Sequence, residues 1–204
     1  MHLVYLDETG YNVWTRRSQG RSRIGHPARR EVHTQRGTNV MCTLAISPEI
    51  GLLHYRIKQE RVTSSTFQEF FEELLRQVHM TWPPDEPVYV IMDNARPHKR
   101  VSVPDDFPNV HVKFLPAYSP FLNPTEHAHS AFKAAVKREL HLPETQVELG
   151  QRRPDLNLQQ SRAEKLLEIG EAAVGQITHQ KCFAWFRHAQ TYLIKCQRRE
   201  HIDG

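Results

Sequence analysis

Two strand-sized apolar runs in this chain, Leu3-Val4-Tyr5-Leu6 and Val88-Tyr89-Val90-Ile91-Met92, are each closed by an aspartate, Asp7 and Asp93. The second run is continuous, as expected of a central strand buried on both faces. If both strands are central and adjacent, their two carboxylates emerge close together at one edge of the sheet. Like charges held together in a partly buried place repel, and they need protons or cations to remain there. Mg²⁺ and Mn²⁺ meet that need, because both prefer oxygen ligands.

The rest of the chain supplies the layers around such a sheet. Asn39 to Ile46 and Leu52 to Ile57 are apolar and separated by the turn Ser47-Pro48-Glu49-Ile50-Gly51, so the first three strands read as a meander. Thr63-Ser64-Ser65 can cap a helix in which Phe67, Phe70, Phe71, Leu74, Leu75 and Val78 recur at three- and four-residue steps; Trp82-Pro83-Pro84-Asp85 ends it. His111 to Leu115 reads as a short strand. A helix is expected from Pro124 to about Leu140, with Ala128, Phe132, Ala135, Val136 and Leu140 on one arc. His141 to Leu158 is weakly patterned and reads as a connector. Two more helices are expected, Ser161 to Ile169 with an extension toward Gln176, and Lys181 to Cys196, the latter burying Phe183, Phe186, Ala189 and Leu193 or near neighbours. This order of elements gives an α/β fold with no internal repeat.

At 204 residues the chain can bury one good core with a small appendage. No apolar run approaches the length of a bilayer and no signal-peptide core follows Met1, so an intracellular protein without a membrane partner is expected. Cys42, Cys182 and Cys196 are odd in number and form no CxxC pair, which favours a reducing compartment. Together with His179 and His188, the last two fit no compact zinc finger. Charge is unevenly spread. Residues 1–40 hold seven arginines (Arg16, Arg17, Arg21, Arg23, Arg29, Arg30 and Arg36) against Asp7, Glu8 and Glu31, which accounts for the whole net charge of +4. Arginine without lysine suits bidentate phosphate contacts, so these seven are candidates for touching phosphate, the alternative being a solvated loop with no partner.

A third carboxylate stands at a helix start. Asn123-Pro124-Thr125-Glu126 reads as an N-cap, a first-turn proline and an acid at the third position, a role that capping alone could explain. On a helical wheel Glu126, Ser130, Lys133 and Lys137 form one stripe beside the apolar arc, able to reach a metal at one end and a phosphate backbone, through Lys133 and Lys137, further along. Three carboxylates around two metal ions would support in-line displacement at phosphorus without a covalent enzyme intermediate. His98, five residues beyond Asp93, reads either as a phosphate contact or as a residue that orders the site, and Asn94 as a group that orients Asp93 or caps the turn after it.

Three stretches carry a family resemblance: YLDETGYN at 5–12, VYVIMDNARPH at 88–98 and FLPAYSPFLNPTEHAHSAFKAAVK at 114–137. They resemble the DDE transposase catalytic domain of the Tc1/mariner and IS630 superfamily. The resemblance implies a ribonuclease-H-like mixed sheet flanked by helices, formed by residues 1–140 with an Arg-rich insertion at about 11–38, and residues 141–204 as a connector and helices packed on or extending the same domain. It implies catalytic and metal-binding roles for Asp7, Asp93 and Glu126, Mg²⁺ (or Mn²⁺) as cofactor, and cleavage and strand transfer of double-stranded DNA. The interval from Asp93 to Glu126 is slightly shorter than is common in the family, and His129 stands where relatives often carry tryptophan. The resemblance further implies a homodimer located in a nucleus or a bacterial nucleoid. Nothing before Leu3 resembles the family's helix-turn-helix modules, so recognition of transposon ends is expected from a separate helix-turn-helix protein or domain. The competing reading is a catalytically inactive or domesticated module that binds DNA or protein. A phosphohydrolase using Asp7 as nucleophile is disfavoured, because Asp7-Glu8-Thr9 lacks the second aspartate such enzymes use.

Overall fold

The apolar run that opens the chain becomes the centre of a sheet. In the computed structural model, which describes residues 1–15, 22–27, 39–117 and 119–198, the strands are β1 (His2–Tyr11), β2 (Val40–Ser47), β3 (Gly51–Lys58), β4 (Val88–Met92) and β5 (Val110–Phe114). Their order across the sheet is β3-β2-β1-β4-β5. The first three form the expected antiparallel meander, and β4 and β5 run parallel to β1. The helices are α1 (Ser64–Thr81), α2 (Thr125–Glu139), α3 (Pro143–Gly150), α4 (Leu158–Val174) and α5 (His179–Gln197). The segment between β4 and β5 contributes only a 3-10 turn, His98–Arg100.

One face of the sheet packs on α1. Phe67, Phe70, Phe71, Leu74, Leu75 and Val78 are all buried there against Val4, Leu6, Val88, Val90 and Met92. Burying side chains of this size contributes about 1.5–3 kcal/mol each. The helix begins at a reciprocal cap: the Thr66 N–H donates to the Thr63 hydroxyl, and the Thr63 N–H donates to the Thr66 hydroxyl. It ends at Trp82, because the proline that follows disfavours helical backbone in the residue before it.

The other face carries the remaining helices. Tyr5, Tyr11, Cys42, Leu44 and Ile46 bury with Ala128, Phe132 and Val136 of α2, Leu149 of α3, Leu166 and Ile169 of α4, and Cys182 of α5. The C-terminal helices therefore extend the same core. The Tyr11 hydroxyl donates to the Leu166 carbonyl at 2.8 Å. A Cβ at Gly170 would fall 2.0 Å from that hydroxyl, so glycine is what lets α4 approach the end of β1 this closely.

Three expectations are corrected. β1 does not end at Asp7 but continues to Tyr11, because β2 keeps pairing with it through Asp7↔Leu44 to Tyr11↔Val40, and Thr9 and Tyr11 continue the buried alternation. The stretch read as a connector contains α3, which the pattern hides: it is eight residues long and buries only Thr145 and Leu149. In α5, Cys182 and Ala189 are buried while Phe183 and Leu193 are 48% and 47% exposed. That helix has apolar residues on more than one side, so periodicity alone does not choose its inner face. The long loop or hairpin expected between Tyr11 and Gly37 lies mostly outside the described residues. Among the described residues no helix is long and apolar enough to cross a membrane.

Candidate active site

Strand pairing opens a gap beside β1. Its pairing with β4 stops at Tyr5↔Ile91, while its pairing with β2 continues to Tyr11↔Val40. Asp7 thus stands just past the last rung shared with β4, and Asp93 follows directly on Met92, the last residue of that strand. β1 is also where the sheet changes from antiparallel to parallel, and open α/β sheets bind ligands at the carboxyl ends of strands beside a change in strand order. A cleft of about 250 Å³ lies here, lined by Asp7, Asp93 and Glu126 together with Asn94, Leu115, Pro116, Ala117, Ser119, Pro120 and Asn123. The three acids singled out in the sequence, on β1, after β4 and on α2, share this one cleft.

Asp7 is the most enclosed of them, its side chain 15% exposed. Its Oδ1 accepts from the Glu8 N–H at 2.8 Å, and its Oδ2 accepts from Asn123 Nδ2 at 3.3 Å and the Thr125 hydroxyl at 3.4 Å. Burial pushes its pKa up to about 7; the hydrogen bond from the Glu8 backbone opposes this, and the charges of Glu8, Asp93 and Glu126 add to it. His129 Nδ1 lies 4.0 Å from Oδ2. The His129 ring is buried, its Nε2 has no hydrogen-bond partner, and burial pushes its pKa down to about 4, so it is neutral at neutral pH.

Asp93 is half exposed. Its Oδ1 accepts from the Ala95 N–H at 2.9 Å and lies 2.6 Å from His98 Nδ1. The His98 ring stacks on Phe67, with centroids 4.3 Å apart, and its Nε2 donates to Glu8 Oε2 at 2.8 Å. Burial lowers the pKa of His98, but Glu8 and Asp93 outweigh it and leave the value above that of an ordinary histidine. His98 is 1% exposed and both its ring nitrogens are engaged, an arrangement that suits the ordering role. Asn94 donates to the Leu115 carbonyl and so ties the loop after β4 to the end of β5.

Glu126 differs from both. It is exposed and forms no side-chain hydrogen bond or ion pair among the described residues. Capping does not occupy it. Asn123 does that work, its Oδ1 accepting from the Thr125 N–H at 3.2 Å and its carbonyl from the Glu126 N–H at 3.2 Å. Helix α2 starts at Thr125, one residue later than expected, with Pro124 as its flanking residue. Further along, Lys133 and Lys137 are half-buried. Of the arginine candidates, Arg23 is exposed; Arg16, Arg17, Arg21, Arg29, Arg30 and Arg36 lie outside the described residues, as does Tyr118.

Among the described residues, no three His, Cys, Asp or Glu side chains already stand where they could hold a metal ion together. The donor set nevertheless fits a hard divalent cation. It consists of carboxylate oxygens, and one carboxylate is driven toward protonation by burial and by the charges of the others. Glu8 escaped the sequence reading. Its signal was alternation: it shares the face of Val4 and Leu6, where a carboxylate needs a partner, and that partner is ninety residues away.

A family model for the DDE superfamily endonuclease matches residues 2–149. Among curated protein sequences none matches significantly. The fold is similar to that of solved Mos1 transposase structures. A pre-cleavage Mos1 transpososome matches with a TM-score of 0.53 and 20% identity over 86% of this chain and 56% of that one. The Mos1 mariner paired-end complex with Mn gives 0.52, 21%, 89% and 54%, and the complex with Mg gives 0.51, 22%, 87% and 56%. The chain thus spans about half the length of the transposases it matches. With a ribonuclease-H-like sheet, three acids on one cleft and a family match over most of its length, the chain belongs to the DDE superfamily of endonucleases.

Proposed function

We propose that this chain is the catalytic portion of a Tc1/mariner-type transposase, which cleaves DNA phosphodiester bonds with a divalent metal ion and joins the freed 3′-hydroxyl to target DNA. The observation that carries this reading is the convergence of Asp7, Asp93 and Glu126 on one cleft in a chain of this family. Asp7 and Asp93 would hold Mg²⁺ or Mn²⁺ from the sheet and Glu126 from α2. A bound divalent cation would lower the pKa of water, or of a 3′-hydroxyl, and stabilise the leaving oxygen. The chain's own part is positional. Asn123 and Thr125 orient Asp7, the turn at Ala95 and the ring of His98 orient Asp93, and an unpartnered Glu126 is free to turn toward the cleft.

Lys133 and Lys137 on α2, with the arginines of the segment between β1 and β2, are assigned to the phosphate backbone of double-stranded DNA. The working form is a homodimer, in a nucleus or bacterial nucleoid, with transposon ends recognised by a helix-turn-helix protein or domain. The test is nicking of double-stranded DNA with Mg²⁺ or Mn²⁺, abolished by Asp7→Asn and by Asp93→Asn. Metal-dependent nicking that survives both substitutions would remove these residues from the site. Affinity for DNA should fall steeply with salt, and a salt-independent affinity contradicts the phosphate contacts.

A further inference from the structure

We propose that His98 is the positioning residue that fixes the Asp93 carboxylate for cation binding, and that Glu8 locks His98 in place from the α1 face of the sheet. The inference rests on the metal reading given above and names a part of it that lies outside the three acids.

Asp93 follows the last residue of β4, so no strand pairing holds its side chain, which is 52% exposed. What restrains it is Oδ1, which accepts from the Ala95 N–H at 2.9 Å and lies in ion-pair contact with His98 Nδ1 at 2.6 Å, while the same nitrogen also reaches the Asp93 carbonyl at 3.4 Å. Oδ2 has no hydrogen-bond partner among the described residues. One oxygen is tied and the other is open, the arrangement a ligating carboxylate needs. The tie is only as rigid as the ring that makes it, and the ring has no freedom left. Its face stacks on Phe67, its Nε2 is held by Glu8 Oε2 at 2.8 Å, and 1% of it is exposed.

Packing does not explain this brace. Glu8 shares the face of Val4 and Leu6, where an apolar residue would bury well, and its Oε1 is buried with no hydrogen-bond partner. A buried, half-satisfied carboxylate beside a buried imidazole is a poor choice for stability. It is a good one for holding an outer carboxylate at a fixed angle. Partners of this kind, which touch a ligand and not the metal, typically change metal affinity by about 10–100-fold when removed.

The test is Mn²⁺ binding to the full chain, read from the paramagnetic resonance signal of the free ion, with folding checked by circular dichroism at the same temperature. The wild type should bind, and Asp93→Asn should not. His98→Gln should weaken binding by about 10–100-fold while leaving metal-free DNA affinity unchanged. Glu8→Gln, which keeps shape but loses charge, should weaken it by a smaller factor, and it carries the test alone if His98→Gln does not fold. Leu75→Val loosens the same α1 core about two turns away from the His98 ring and should leave Mn²⁺ affinity within about twofold, well below the outer-ligand effect. Equal loss of affinity in Leu75→Val and His98→Gln would reduce His98 to a packing residue. Wild-type affinity in folded His98→Gln, or in Glu8→Gln where that variant stands alone, overturns the inference and leaves the metal site standing. A wild type that binds no Mn²⁺ overturns the metal reading, and this one with it.

Discussion

Asp7 and Glu126 line the same cleft and could hardly be held more differently. Asp7 is built into a central strand, nearly enclosed, with hydrogen bonds to both oxygens and a pKa pushed up to about 7. Glu126 sits exposed in the first turn of α2 with no side-chain partner among the described residues. The sheet therefore supplies the fixed part of the site and bears its electrostatic cost, while the helix supplies a movable carboxylate at little cost. A cation would relieve the repulsion at Asp7 and give Glu126 something to bind.

The largest effect should not separate the two residues. Asp7→Asn and Glu126→Gln should each lower metal-dependent DNA nicking by about a thousandfold, equivalent to about 4 kcal/mol of transition-state stabilisation. Single-turnover rates check this. Near-normal activity in Glu126→Gln would break the comparison by leaving the fixed acids to work alone.

Stability should separate them clearly. The folded chain holds the Asp7 proton more tightly than the unfolded chain does. This group's contribution is therefore intact below the unfolded value near 4, is lost as pH rises to about 7, and changes no further above that. Three pKa units correspond to at most about 4 kcal/mol. Metal-free Asp7→Asn should be more stable than the wild type at pH 8 by up to that amount and equal to it near pH 4. Glu126→Gln should stay within about 0.5 kcal/mol throughout. Urea unfolding at the two pH values is the measurement, and saturating Mg²⁺ should shrink the Asp7 difference.

A smaller effect should fall outside the site altogether. Gly170→Ala places a methyl group against the Tyr11 hydroxyl and should cost about 1–3 kcal/mol, seen in thermal unfolding. Cleft chemistry should be untouched, with Mn²⁺ affinity unchanged. A large loss of affinity would mean that the end of β1 and the position of Asp7 depend on α4.

Much of this arrangement could be read from the residues, and the failures have physical causes. The face of α1 was legible because one side of it is apolar and the other is not. Asp93 was legible because a continuous apolar run stops at it. The extension of β1 through Glu8, Thr9 and Gly10 was not, since only pairing with β2 makes a strand of such polar residues. The inner face of α5 was hidden by apolar residues on several sides, and α3 by its shortness. In the site, the burial of His98 and its partnership with Glu8 were illegible because ninety residues separate the pair. Glu126 kept a rival role as a cap until Asn123 was seen to fill it.

The most direct measurement is a crystal structure with Mn²⁺ and its anomalous scattering. The expected result is a peak in the cleft bound by Asp7 and Asp93, with Glu126 turned toward it from α2 and His98 still on Asp93. A Mn²⁺ peak outside this cleft, or none at saturating Mn²⁺ with Asp7 unligated, would contradict the assignment of these three acids as the metal site.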